Sequence, residues 1–239
     1  MIQGIYTAAG SMIMRQVQQD IIANNLANLN TTGYKRDRIV FRQILDAAAL
    51  LEGTLKAAPV DDVITDFDQG RLQKTGNQLD FAIKGEGFFV VTDGNQRFLT
   101  RNGHFQINED GELVTPTGLQ VLGENGPIVL SSEDFSVNTN GEILVEGRVQ
   151  DRFFTAMVQN PSQELQRVGN NLFQFIMPNM QPVQGDAEIL QGYVESSNVN
   201  VVEEMVSMIM VFRDFEFNQR TIQTQDDTLR RAVNDLGKL

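Results

Sequence analysis

The 239-residue chain is 41% hydrophobic with 20 Gly, 6 Pro and neither Cys nor Trp, so it has the apolar content of a globular protein and length for more than one unit. Disulfides, thiolate metal clusters and a cysteine nucleophile are excluded. The net charge of -12 is uneven: residues 1–42 hold five basic and two acidic side chains, residues 201–239 five and seven, and the middle nine and 22. That acidity disfavours nucleic acid and anionic lipid, whose binding relies on Lys and Arg displacing counterions.

At the start of the chain, Met1 to Met14 has no basic residue before Arg15 and is interrupted by polar residues and glycine. It reads as neither a signal peptide nor a membrane span. Ile2, Ile5, Ala9, Met12 (or Ile13), Val17 and Ile21 form one stripe at helical spacing, with Gln16, Gln18, Gln19 and Asp20 elsewhere. The polar run from Asn24 to Gly33 stops this helix, because Asn and Gly tolerate the left-handed backbone of helix ends. Its Asn30-Thr31-Thr32 matches a glycosylation acceptor, an accidental match in a chain with no secretory signal. Residues 1–35 are therefore a helix and turn, and 36–69 a connector. In that connector Ile39, Phe41, Ile44, Leu45, Ala48 and Leu51 could support a short helix, and Pro59 to Val63 reads as extended.

From Gly70 the pattern changes to short strands with glycine turns. Phe81-Ala82-Ile83 precedes Gly85-Glu86-Gly87, and Phe88-Phe89-Val90-Val91 turns at Asp93-Gly94-Asn95 and returns through Phe98-Leu99-Thr100, a hairpin signature. Phe105 to Val114 lines up with Phe135 to Leu144, so one hairpin occurs twice. Two copies are too few for a solenoid. With further strands expected at 153–158 and 172–177, residues 70–196 read as a β domain of short antiparallel strands.

In residues 197–239, Asn200 and Glu203 match a capping box that starts a helix at Val201. Val201, Met205, Met208, Phe212, Phe215, Gln219, Ile222, Asp226, Leu229, Val233 and Leu236 follow at alternating steps of four and three, the spacing of a coiled-coil seam. Each apolar seam residue is worth roughly 1.5–3 kcal/mol only when buried, so this helix needs a partner. Gln219 and Asp226 are candidates for fixing register, and the stripe from Ile2 to Ile21 is the candidate partner. The fold class is α+β: terminal helices forming a coiled-coil-like assembly module, and a central all-β domain.

Side chains for chemistry are scarce. The one histidine, His104, sits beside Asn102-Gly103 and reads as an ordinary strand residue. Gly85-Glu86-Gly87 opens like a phosphate loop, but Val90 stands at the third glycine position and a strand follows. The pairs Glu109/Asp110 and Asp61/Asp62 fall in turns and connectors, where carboxylates are solvated. The loop from Asp61 to Gly70 lacks the EF-hand order. No cofactor, metal or small-molecule substrate is expected.

Two long stretches carry a family resemblance. Asn24-Asn25-Leu26-Ala27-Asn28-Leu29-Asn30-Thr31-Thr32-Gly33-Tyr34-Lys35 resembles the N-terminal signature of the flagellar rod, hook and hook-associated proteins, and Gln191 to Val206 resembles the C-terminal one. Gly85-Glu86-Gly87-Phe88-Phe89-Val90-Val91 and Thr100-Arg101-Asn102-Gly103 extend the similarity over nearly the whole chain. The resemblance implies a structural subunit of the basal-body rod whose terminal helices pair in an inner tube. It implies copies of itself and other rod proteins as partners, and export through the flagellar type III apparatus into a rod that crosses the periplasm. Val121 to Ile128 and the short connector are more similar to a proximal than to the distal rod subunit. Two other classes compete: a secreted binding module or adhesin whose helices only oligomerise it, and an enzyme acting on cell-wall glycan.

Overall fold

The computed structural model describes residues 2–40, 62–131, 134–177 and 180–236. The candidate short helix from Phe41 to Leu51, the extended Pro59 to Asp61, and the side chains of Ile2, Ile5, Asp62 and Leu236 lie outside the described residues. The chain divides into two compact units, one of Met1–Ala27, Asp37–Ile64 and Asn200–Leu239, the other of Asn28–Arg36 and Thr65–Val199.

The first unit is built on two long helices, α1 (Ile2–Ala27) and, at the end of the chain, α3 (Val201–Leu236). They run antiparallel: Asn25 near the end of α1 meets Glu204 in the first turn of α3, and ten residues away along each helix Arg15 meets Asp214 at 2.8 Å. The cap is at Asn200, whose Oδ1 accepts the amide of Val202 at 3.1 Å while its Nδ2 donates to Glu203 Oε1 at 3.1 Å. One orphan amide of the first turn is thereby satisfied, which is why the helix begins where it does. Strand Asp37–Val40 pairs with Asp62–Thr65. Asn25 clamps its first residue, donating to Asp37 O at 2.9 Å and accepting Asp37 N at 3.0 Å.

The second unit is a body of antiparallel strands with one helical turn, α2 (Pro161–Glu164). Its main sheet runs in the order Leu165–Gly169, Leu172–Phe175, Arg97–Thr100, Phe88–Thr92, Gln120–Gly123, Leu113–Val114, Gln106–Ile107, with Thr155–Met157 also on Phe88–Thr92. The expected hairpin is present, with Val91 opposite Phe98 and Thr92 opposite Arg97. Phe88–Thr92 is buried along its whole length because it divides two cores. Phe89 and Val91 point into one with Phe81, Phe105 and Phe153, and Phe88 and Val90 into the other with Leu99 and Phe173. Such a strand reads as an unbroken apolar run rather than an alternation. Phe89 and Phe105 meet edge to face at 5.3 Å, the geometry that ring quadrupoles favour.

The duplicated hairpin has the same chemistry twice. Asn108 Oδ1 accepts the amides of Asp110 and Glu112, and Asn138 Oδ1 those of Asn140 and Glu142, all at 2.8–3.0 Å. Gly111 and Gly141 supply φ of 79° and 81° at the equivalent position. The registers match too: Ile107 faces Leu113 and Val137 faces Ile143. The body is closed by late strands returning to early ones, Glu188–Gln191 on Phe81–Lys84 and Tyr193–Glu195 on Leu72–Lys74.

Candidate functional site

On α3 the face turned from solvent holds buried Glu204 and Val211 and half-buried Val201, Ser207, Met208, Asp214, Phe215, Asn218, Thr221, Ile222, Gln225 and Leu229, with Glu204 and Asp214 meeting Asn25 and Arg15 of α1. Of the seam read from the sequence, Val201, Met208, Phe215, Ile222 and Leu229 lie on this face. Met205, Phe212, Gln219, Asp226 and Val233 are exposed, one every seven residues, on the neighbouring face. Asp226 there accepts Arg230 of its own helix at 3.2 Å. Val202, Val206, Ile209, Met210 and Phe217 are exposed as well. On α1, Ala8, Ile22 and Asn25 are buried, Ala9, Met12 and Ile21 half-buried, and Ile13 and Val17 exposed. The helix α3 thus carries two adjacent lines of large side chains, and α1 covers one.

The two stretches that carry the resemblance meet within the β body. The chain after α1 turns at Gly33, which adopts φ of +67° and whose amide donates to Glu195 O at 2.7 Å. A Cβ on Gly33 would stand 2.3 Å from Asn102 N, so a side chain is excluded by contact as well as by conformation. Tyr34 is buried beneath Arg167, whose guanidinium lies 4.7 Å from the ring centre. Thr32 Oγ1 donates to Asn102 Oδ1 at 2.8 Å, and Asn171 Nδ2 donates to Thr32 O at 3.0 Å.

Next in line is Lys35, whose side chain is 0% exposed. Its Nζ donates to Glu195 Oε1 at 2.6 Å and to Asp68 O at 2.8 Å. Glu195, 1% exposed, receives Arg101 Nη1 on its other oxygen at 3.2 Å and the amide of Gly70 at 2.8 Å. Arg101 also reaches Gly85 O at 2.8 Å and stacks over Phe88 at 5.2 Å. Two buried cations thus share one carboxylate. Composition gave no sign of this centre, because charged side chains read from sequence are assigned to solvent and this carboxylate is 160 residues from Lys35.

Burial pulls the Lys35 ammonium below its ordinary pKa of 10.5, and attraction to Glu195 only partly opposes it. Burial likewise lowers the Arg101 guanidinium, against the pull of Glu195. A lysine with a lower pKa folded than unfolded binds fewer protons in the folded state between the two values. The penalty for Lys35 is therefore fully present below the folded pKa and is relieved as pH rises through it toward 10.5. The stability of the wild type relative to Lys35→Met should accordingly increase as pH rises toward 10.5 in urea titrations, and a decrease would refute the sign.

His104 is half-exposed and its Nδ1 lies 2.6 Å from Asp80 Oδ1, across an isolated bridge between the two residues. Glu109 and Asp110 are solvated in the Asn108–Glu112 turn, and Gly85-Glu86-Gly87 is a turn between strands. Among the described residues there is no cluster of three or more His, Asp or Glu side chains placed to hold a metal ion. Among the described residues no helix is long and apolar enough to cross a membrane.

Residues 5–35 match the family described as flagella basal body rod protein, 82–145 the flagellar hook protein FlgE/F/G D1 domain, and 190–236 the flagellar basal body rod FlgEFG protein C-terminal. Among similar curated proteins is the flagellar basal-body rod protein FlgG of Buchnera aphidicola subsp. Acyrthosiphon pisum (strain APS), 34% identical over 97% of this chain and 98% of the relative. FlgG of Bacillus subtilis (strain 168) is 30% identical over 98% and 99%. FlgF of Rhizobium meliloti (strain 1021) is 32% identical over 98% of both chains.

Proposed function

We propose, from the premise that this chain belongs to the flagellar basal-body rod protein family, that it joins the axial rod through the face of α3 that α1 leaves open. As a member of that family it is a structural subunit of the rod. One observation carries the assembly reading. Met205, Phe212 and Val233, 50%, 51% and 68% exposed, stand on a line with Gln219 and Asp226 in a seven-residue repeat, beside exposed Val202, Val206 and Ile209. Apolar surface repeated at coiled-coil spacing is stable in water only when another helix covers it. In this coiled-coil-like module one line packs inside the subunit and the other against neighbouring rod subunits, Gln219 and Asp226 holding the register. Export by the flagellar type III apparatus, a position across the periplasm and the absence of catalysis belong to the same reading.

Phe212→Asp tests it. The residue is half-exposed in the subunit, so the helix pair should keep its urea midpoint. A carboxylate placed in a closed apolar contact should weaken each intersubunit contact by about 3 kcal/mol or more. A strain carrying the variant in place of its own copy should not swarm, and its purified basal bodies should lack the protein. Normal swarming would show that this face is not an assembly contact.

Within the family, identity does not separate the FlgF from the FlgG relatives. Length favours a FlgF-like, proximal-rod subunit. Alignments to the Rhizobium meliloti and Caulobacter vibrioides FlgF proteins span 246 and 241 residues, whereas those to the Buchnera aphidicola (strain APS) and Bacillus subtilis FlgG proteins span 260 and 261. The chain should restore motility to a strain lacking FlgF and not to one lacking FlgG; the reverse pattern assigns it to the distal rod.

A further inference from the structure

We infer that Asn198 is a positioning residue for rod assembly, tying together the three points at which the chain leaves the β unit. This rests on the reading that the terminal helices carry the assembly surfaces. The β unit comprises Asn28–Arg36 and Thr65–Val199, so the chain departs from it after Arg36, before Thr65 and after Val199. One side chain touches the first two departures from the third. Asn198 Oδ1 accepts the amide of Arg36 at 2.7 Å, and its Nδ2 donates to Asp66 O at 2.9 Å and Asp68 O at 3.1 Å. The backbone closes the same triangle, with Asp66 N donating to Arg36 O at 2.8 Å and Asn198 N to Tyr34 O at 3.4 Å.

The chemistry selects an amide. One acceptor and two donors must leave a short side chain in fixed directions, which Asp cannot supply for want of a donor and Ser cannot supply for want of a second. Asp68 O is shared with Lys35 Nζ, so the tie borders the buried ion cluster. Asn198 belongs to neither apolar core of the β unit. Its loss should therefore free the departures without unfolding the sheet. Segments held in place before association need not be ordered during it, and that is where the tie serves assembly.

The test is Asn198→Asp, nearly the same in shape but with an acceptor facing two carbonyl oxygens. Hydrogen exchange on the full chain should show protection of the Arg36 and Asp66 amides falling roughly tenfold or more, with Val90 and Leu99 in the central sheet unchanged. In the strain carrying this variant, swarming and the content of the protein in purified basal bodies should fall. Normal assembly with loosened amides would overturn the inference, as would unchanged protection at Arg36 and Asp66. Loss of protection at Val90 and Leu99 would overturn it too, because the tie is inferred to be separable from the fold. Phe212→Asp runs beside it: if that variant assembles, the helix reading has failed, and if it alone is blocked while Asn198→Asp assembles, only the tie falls.

Discussion

Replacing Glu195 with glutamine should destabilise the β unit by about 3–5 kcal/mol, the cost of leaving buried charge without its partner. The substitution preserves shape. Glutamine still offers one acceptor to Lys35 and Gly70, but its amide group presents hydrogens to Arg101, and both buried cations lose their counter-charge. That is a large share of the 5–15 kcal/mol by which a domain is usually stable. The control is Glu188→Gln, whose partner Lys84 lies at 2.9 Å on the surface and whose loss should cost under about 1 kcal/mol. Urea midpoints at unchanged slope make the comparison. Equal effects for the two variants would mean that Glu195 is not in a buried cluster.

Gly103→Ala should be at least as severe, about 4 kcal/mol or more, for a steric reason. A Cβ at this position would stand 1.7 Å from Phe81 O, 2.7 Å from Phe81 C and 3.1 Å from Phe89 Cε2. No side-chain rotation relieves a clash with backbone, and moving that backbone would break the 2.9 Å bond from Phe81 N to Gly103 O and disturb the packing of Phe81 against Phe153. Gly118→Ala is the contrast. It has φ of +86° with nothing within 4 Å, so it should lose only about 1–2 kcal/mol from conformation. Thermal midpoints separate the two, and a Gly103→Ala variant as mild as Gly118→Ala would rule out the close approach.

Both positions show what could be read before packing was known. Thr100-Arg101-Asn102-Gly103 is recognisable as a motif, yet nothing in it names Phe81 or Glu195 as the neighbours that make it necessary. The same holds on α3. The helix start after Asn200 and the seven-residue spacing follow from the order of residues, since capping and helical period are local. Which stripe α1 covers does not follow. Apolar residues at 202, 205, 206, 209, 210 and 212 widen the apolar arc beyond one seam, and Met205 and Phe212 stand one position round from Glu204 and Val211, which is 3% exposed.

Local chemistry was thus determined by the sequence alone: two terminal helices, an acidic β body between them, the Asp93-Gly94-Asn95 hairpin, and the turn at Asn108 repeated at Asn138. Each is set by contacts within a few residues, where periodicity and turn conformation carry the information. The tertiary structure alone decided the return of Tyr193–Glu195 onto Leu72–Lys74, the burial of Lys35 and Arg101 around one carboxylate, and the division of α3 into a covered and an open face. Those features depend on which distant surfaces exclude water from one another, and a charge becomes structural only when such packing removes its solvent.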